Sequence, residues 1–547
     1  MSKWVLFKML GGSNAKHWTR LQHNGPMFPN EYKPHKIPVI INNDKVILPE
    51  QAEEYATMYA RFIGTEYMNS SLFKKNFWKD FKPTLTNIDS NKLKSMTIDE
   101  IDFSSIKIHL DNEKEKKKNM TDDEKKRIKI KQTEIEEPYQ NCIIDGAQQK
   151  IGNYKIEPPG IFLGRGTHPK LGMIKKRVYP EDVTLNLSKD APVPVPNVKG
   201  KWGEIIHDTS VIWLASWKDN ISGKTKYVFT SLDSFFKSKS DQDKFDLARA
   251  LKKKVSTIRD GYSEQLLSTD NKEKQLATAL YFIDNLALRV GSSKDTKEEA
   301  DTVGVTSLRV EHLTLFEDNT LRLDFLGKDS VRFCRKVQVT ESVYNNLKLF
   351  IKDKKNKDDL FDLISATLLN DYLNSFMEGL TAKVWRTYNA SLLFQKEIDK
   401  IKPEHTISIS ADERLNYLIA MFNQANTSVA LLCNHQKNVN AGADNMVTKI
   451  NDRLEELRKK KKKVAINTKN KDKIKSLDSK IKLLKLKKET KLKMKNVSLG
   501  TSKNNYIDPR IIFSFIKRFN VPPEKLFTAK LIERFKWASS VDENYSF

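Results

Sequence analysis

Apolar and polar positions along the chain follow two periods, and the changes of period mark its elements. Near the start, "VIINNDKVIL" sets two β-rich runs on either side of Asn42-Asn43-Asp44, which predicts a hairpin. "PEQAEEYATMYARFIG" then takes helical spacing, with Pro49 near its start and Gly64 after its end. "DNEKEKKKNMTDDEKKRIKIK" has almost no apolar face and predicts a solvent-exposed helical arm. "VIWLASWKDNISGKTKYVFT" predicts a second hairpin with its loop at Asn220 to Gly223. From about residue 236 the period is mainly helical. "EKQLATALYFIDNLALRVG" puts Leu276, Leu280, Ile283, Leu286 and Val290 on one face, with Arg289 at the helix end and Gly291 as its stop. "LRLDFLGKDSVRFCRKV" interrupts with strict alternation around Gly-Lys-Asp, a hairpin with Lys328 at its tip.

Residues 451–497 have a thin seam instead of a face. Leu454, Leu457 and Val464, then Ile474, Leu477, Ile481 and Leu484, recur at coiled-coil spacing, and "NTKN" at 467–470 can turn the chain. The prediction is an antiparallel helical pair that projects from the body. The segment holds 19 Lys or Arg against 6 Asp or Glu, an excess of +13 and half of the chain's net +26. Beyond it, Asp508 and Pro509 form an N-cap and N1 pair, so "PRIIFSFIKRF" is a helix and Tyr506 stands just before it.

A charge of +26 on 547 residues favours a polyanionic partner, nucleic acid first, and the length implies two to four domains. The longest apolar runs fall short of a bilayer span. Cys142, Cys334 and Cys433 form no Cys-x-x-Cys, which suits a reducing compartment and offers neither a disulfide framework nor a zinc site. The sequence contains no phosphate-cradling Gly-x-x-x-x-Gly-Lys-Ser/Thr and no convincing metal spacing; "DDLFD" at 358–362 reads as a solvated loop. Residues 1–30 are basic without acids, a plain basic tail more than a mitochondrial presequence. Phosphoryl chemistry would therefore run on cationic side chains. Lys383 and Arg386 lie three apart on one helical face, Lys328 caps a hairpin, and His435 follows the apolar run "SVALLC". Each also has a structural explanation. An Arg or His in a last helical turn suits the dipole, a hairpin-tip lysine is solvated, and a tyrosine before a helix packs with its hydroxyl bonded.

Several strings resemble the eukaryotic type IB DNA topoisomerases, in colinear order from about Trp18 to the last residue. They are "IEPPGIFLGRGTHPKLGMIKKRVYPEDV", "ALYFIDNLALRVG", "EADTVGVTSLRVEH", "LGKDSVR", "GLTAKVWRTYNAS", "LLCNHQ", "TSKNNYIDPRI" and "ERFKWASSVDENYSF". The resemblance implies that Tyr506 is the nucleophile, with Arg289, Lys328, Arg386 and His435 as its catalytic partners. Arg177, Asp329 and Asn505 would flank the cleavage site, where camptothecin-type inhibitors also bind in the family; Lys226, Tyr227 and Lys383 are further expected DNA contacts. The implied fold is α+β and multidomain, a two-lobed clamp on duplex DNA. Its parts are a basic tail (1–16), a mixed α/β cap lobe (17–235), a mainly helical catalytic core (236–437), a projecting coiled-coil linker (438–497) and a C-terminal domain (498–547). The implied activity is relaxation of supercoils through a 3′-phosphotyrosine, without ATP, metal or cofactor, by a nuclear monomer. No carboxylate or second His is forced beside Tyr506; the cationic cluster would lower the pKa of its phenol, and water could take the proton. A tyrosine recombinase and a noncatalytic DNA-binding protein of the same fold are the rival readings.

Overall fold

The computed structural model describes residues 16–401, 411–436, 442–465, 471–494 and 496–547. The expected basic tail, but for Lys16, and the expected turn at 467–470 lie outside them. Helices and small sheets mix in two compact units. Unit 1 runs to Lys237 and takes in Lys294–Asp301; unit 2 comprises Ser238–Ser293 and Thr302–Phe547. Among the described residues no helix is long and apolar enough to cross a membrane.

In unit 1 the first hairpin pairs β1 (Val39–Ile41) with β2 (Asp44–Val46). Asn42 and Asn43 take φ of 50° and 70°, the left-handed pair that such a two-residue turn requires. Helix α1 (Glu50–Ala60) starts behind Pro49, and α2 (Ser71–Phe81) buries Phe73, Phe77 and Phe81 at four-residue spacing. Tyr59 stacks on Phe77 at 4.4 Å between ring centroids, which fastens α1 to α2. The charged arm is two helices, α3 (Ser104–Asn119) and α4 (Asp122–Glu136). The break has a local cause: Thr121 and Glu124 form a capping box that starts a new helix. A four-stranded sheet has the order β4-β3-β5-β6, with β3 Val183–Asn186, β4 Glu204–Ile206, β5 Ala215–Lys218 and β6 Thr225–Val228. β5 and β6 are the second predicted hairpin, paired from Ala215–Val228 to Lys218–Thr225. Ion pairs of Glu298 with Lys170 and of Glu299 with Lys224 hold the 294–301 segment to this unit.

Unit 2 is mainly helical. Helices α5 (Val255–Gln265), α6 (Asn271–Leu286), α7 (Ala382–Asp399) and α8 (Ala411–Leu432) surround a core that includes Phe282, Trp385, Phe394 and Phe422, all fully buried or nearly so. Truncating a ring of this kind to alanine typically costs about 3–5 kcal/mol. The predicted lysine-tipped hairpin is present. β8 (Thr320–Leu326) and β9 (Arg332–Gln338) pair down to Leu326–Arg332, with β7 (Leu313–Leu315) on the far edge of β8.

Two expectations are corrected here. Helix α6 stops at Leu286, not at Gly291. Ala287 takes the left-handed cap (φ 50°) and its N–H returns to Phe282 O, while Leu288 turns into the core. Val290 is therefore off the helix and Arg289 lies beyond its end. Gly291 serves a close approach instead: a Cβ there would lie 2.7 Å from Gly304 Cα. The lysine-rich segment does form two packed helices, α9 (Gly442–Ala465) and α10 (Lys471–Met494). Their seam buries Leu454, Leu457, Leu477 and Ile481, and Lys461 meets Asp478 across it at 2.5 Å. The pair does not project freely along its whole length, because α10 runs along α8: Lys480 reaches Glu413 at 3.5 Å and Lys487 reaches Asn416 at 3.3 Å. The chain leaves at Gln436 and returns at Val497, and those two residues form an antiparallel bridge. It continues into the short helix α11 (Leu499–Asn505) and then α12 (Pro509–Phe519), capped by Asp508 as predicted.

Candidate active site

Tyr506 sits in the joint between α11 and α12, and its backbone is bound on both sides. Its N–H donates to Ser502 O at 2.9 Å. Its carbonyl accepts from Ser391 Oγ on α7 at 3.0 Å, and the same Oγ accepts from Asp508 N at 3.0 Å. Asp508, fully buried, also takes a bidentate bond from Arg510 (Nη2 at 2.8 Å), and Arg510 in turn pairs with Asp246 at 2.6 Å, so the start of α12 cannot shift without breaking an ion pair. The tyrosine is 6% exposed. It is packed with its hydroxyl bonded, and the donor is the guanidinium of Arg289, Nη1 at 3.1 Å.

Arg289 owes its place to the early end of α6. The left-handed Ala287 turns the chain, and Arg289 O is then held by Val305 N at 2.9 Å. Arg386, one turn into α7, is 5% exposed. It donates to Ala287 O and to Cys433 O, main-chain carbonyls where α6 and α8 end. Helix C-termini carry unpaired carbonyls and partial negative charge, so a cation there is stabilised. Its guanidinium lies 5.2 Å from the Tyr506 ring centre. His435 is set by the end of α8. Asn434 is left-handed (φ 51°), and His435 N–H reaches back to Ala430 O at 2.8 Å, the six-to-one bond of a Schellman ending. Its ring lies 5.3 Å from that of Tyr506 and its Nδ1 is 2.7 Å from Ser502 Oγ. Burial, reinforced by Arg386 and Arg289, pushes the imidazole pKa down to about 3. The ring is neutral at physiological pH, so it is not a cation settled by the helix dipole.

Lys328 stands exposed in the loop between β8 and β9. Asp329 and Ser330 hold φ of 66° and 58°, and two consecutive left-handed residues other than glycine typically cost about 1 kcal/mol or more each. Arg289, Lys328, Asp329, Arg386 and His435 all line one shallow cavity of about 130 Å³, together with Thr501 of α11. Tyr506 is not among the residues that line it. Arg386 Nε and His435 Nε2 are buried with no hydrogen-bond partner among the described residues. Buried nitrogens of this kind are rarely left unpaired, and these two, with a second arginine close by, leave hydrogen-bonding capacity that the described residues do not use. Among the described residues no group of three or more His, Cys, Asp or Glu could hold a metal ion. "DDLFD" is structural: Leu360 and Phe361 enter the core, and Asp362 accepts from Gln275 at 2.7 Å and pairs with Lys354 at 2.9 Å.

The expected DNA contacts divide between the units. Lys383 lies three residues before Arg386 on α7, and Asn505 is exposed at the end of α11, where its Nδ2 donates to Thr501 O at 3.1 Å. In unit 1, Arg177 is committed to Glu54 (2.6 Å) and to Asn30 O (2.9 Å). Lys226 pairs with Glu157 at 3.2 Å and Asp219 at 3.4 Å, and Tyr227 packs on Trp213 at 5.6 Å. Arg177 and Lys226 line a cavity of about 250 Å³ with Lys175, whose pKa burial and the Lys226 charge lower to about 8.

Three supporting residues escaped the sequence reading. Ser391 and Ser502 carry no pattern of their own. Asp284 had one, a lone acid inside the apolar "YFIDNLAL". It is 4% exposed and accepts from Arg259 (2.8 and 2.9 Å), Tyr262 OH (2.9 Å) and Trp385 Nε1 (2.9 Å).

Comparison with known proteins bears on this arrangement. Residues 16–230 match the family model "Eukaryotic DNA topoisomerase I, DNA binding fragment", residues 233–468 match "Eukaryotic DNA topoisomerase I, catalytic core", and residues 478–547 match "C-terminal topoisomerase domain". DNA topoisomerase 1 of Caenorhabditis elegans is 40% identical over 97% of this chain and 68% of its own length. The human DNA topoisomerase 1 is 39% identical over 97% of this chain and 72% of its own. That of Candida albicans is 39% identical over 100% and 82% respectively.

Proposed function

The chain belongs to the eukaryotic DNA topoisomerase I family, and from that premise we propose that it relaxes supercoiled duplex DNA by transient cleavage of one strand. The observation that carries this reading is the pair of unpartnered buried nitrogens, Arg386 Nε and His435 Nε2, beside a tyrosine hydroxyl held by Arg289. The Tyr506 oxygen attacks a backbone phosphorus. A phosphorus–tyrosine ester forms as the bond to the 5′ oxygen breaks. The phenolic proton goes to water, and Lys328 gives a proton to the leaving oxygen. Arg289, Arg386 and neutral His435 donate to the nonbridging oxygens, whose charge grows in the transition state. Removing one such donor typically costs roughly 10²–10³ in rate. Loss of the general acid costs about 10²–10⁴. One ester replaces another, so the step conserves bond energy, and its reversal reseals the strand without ATP.

Units 1 and 2 are read as the two lobes of a clamp on the duplex, with Arg177, Lys226, Tyr227, Lys383, Asp329 and Asn505 as DNA contacts. The α9–α10 pair is read as a coiled-coil linker whose lysines brake strand rotation near downstream DNA. A nuclear monomer, and a cleavage complex open to camptothecin-type inhibitors, complete the proposal. The test is relaxation of a supercoiled plasmid with EDTA and without ATP, wild type beside Tyr506→Phe. Relaxation by wild type alone, with a denaturation-resistant adduct at Tyr506, is the expected result. An adduct through another residue, joining of two DNAs at a fixed site, or no relaxation by either protein would overturn it.

A further inference from the structure

Helix α11 brings one more polar side chain to the site, and the reaction above leaves it unused. Ser502 is 0% exposed, and the one hydrogen-bond partner of its Oγ among the described residues is His435 Nδ1, at 2.7 Å. We propose that Ser502 is a positioning residue that fixes the tautomer of His435: its hydroxyl donates to Nδ1, which keeps the ring hydrogen on Nε2, facing the reacting phosphate. The proposal rests on the phosphodiester-transfer reading of the site.

A neutral imidazole has one N–H and one lone pair, and the partner of one nitrogen decides what the other can do. Two arrangements fit a 2.7 Å contact. In one, Ser502 donates to Nδ1, so the buried hydroxyl hydrogen is satisfied and Nε2 becomes a donor. In the other, Nδ1–H donates to Oγ. The serine hydrogen then has no acceptor in a fully buried position, and Nε2 turns a lone pair towards any bound anion. The first arrangement satisfies both requirements and the second satisfies neither. The ring is kept neutral by its burial and by the two flanking arginines, so the tautomer decides whether it can serve as a donor at all. The serine is itself well anchored. Its carbonyl accepts from Tyr506 N at 2.9 Å and from Ile507 N at 3.1 Å. One residue thus orients the histidine through its side chain and the tyrosine through its backbone.

Two measurements on the full chain test the assignment. The first is the ¹⁵N spectrum of histidine-labelled protein, with the His435 signal identified by its loss in His435→Gln. The Nε2–H pattern is expected in wild type, and a shift towards Nδ1–H in Ser502→Ala. The second is a rate comparison in two backgrounds. Ser502→Ala should slow relaxation about tenfold in wild type, since part of the population loses its donor. It should change nothing in His435→Gln, because the glutamine amide carries N–H whatever residue 502 is. An Nδ1–H or doubly protonated ring in wild type, or an equal loss in both backgrounds, would overturn the proposal. A wild type with the Nε2–H pattern that relaxes no plasmid would instead overturn the DNA reading alone.

Discussion

Asp284 does not line the cavity, yet it joins the helices that supply residues to it. Its carboxylate joins α5 to α6 through Arg259 and Tyr262, and α6 to α7 through the indole of Trp385, the residue next to Arg386. Three residues after Asp284, Ala287 offers its carbonyl to Arg386. Arg259 is half-exposed and water can take up its charge, but the buried Tyr262 hydroxyl and Trp385 indole would lose their acceptor, and an unsatisfied buried donor typically costs about 1–3 kcal/mol. Asp284→Ala should therefore lower the urea stability of unit 2 by an amount of that order, and cleavage should fall with it. A melting curve unchanged from wild type would contradict this. His435 gives a pH prediction. Its folded pKa of about 3 lies below the ordinary 6.5, so a proton binds the unfolded chain more readily. The contribution of His435 is complete above pH 6.5 and is lost as pH falls towards 3; His23, lowered by burial to about 4, acts in the same direction. Denaturation midpoints should drop through that acid window. The cleavage rate between about pH 6 and 8 should show no histidine titration. A rate step near 6.5 that disappears in His435→Gln would contradict a neutral ring.

At the level of elements, the chain around Arg289 is packed without slack. A Cβ on Gly304 would lie 2.4 Å from Gly291 N and 2.7 Å from Arg289 O. Gly304→Ala must push the backbone that aims Arg289. We expect cleavage to fall by about 10²-fold, the scale of losing a transition-state donor, while gel-shift affinity for duplex DNA holds. Equal losses in both would place the damage in folding. The elements also show what the sequence made legible. Hairpins at Asn42-Asn43 and around Lys328 depend on turn residues that announce themselves locally, and both formed where expected. Asp508 and Pro509 likewise started α12. The end of α6 is not legible, because an alanine takes the left-handed cap and alanine carries no mark of that conformation. The Thr121–Glu124 capping box was written in the sequence but lost among surrounding charges. Helix α11 leaves no trace, because a segment of 7 residues is too short to show a period.

On the scale of the whole molecule, sequence distance hides the site. Arg289 and Tyr506 are 217 residues apart and share a hydrogen bond, a convergence that periodicity does not encode and that only the family strings brought to notice. Charge, by contrast, is legible from composition, and it makes a prediction. Arg458 to Lys463 are six consecutive cations on α9. If they lie along duplex DNA, changing them to glutamine should flatten the plot of log affinity against log salt by about 0.9 for each phosphate they had neutralised. Anisotropy titrations in a sodium chloride series would measure this, and an unchanged slope would show that α9 never meets DNA. The bridge between Gln436 and Val497 has a different consequence. The route out through α9 and back through α10 starts and finishes at neighbouring points, with Ser498 N–H on His435 O at 2.8 Å to close the gap. Covalent continuity along that detour is not what keeps Tyr506 beside Arg289 and His435. A polypeptide nicked by a protease between the two helices should still cut and reseal DNA, with Tyr506 supplied by the smaller fragment.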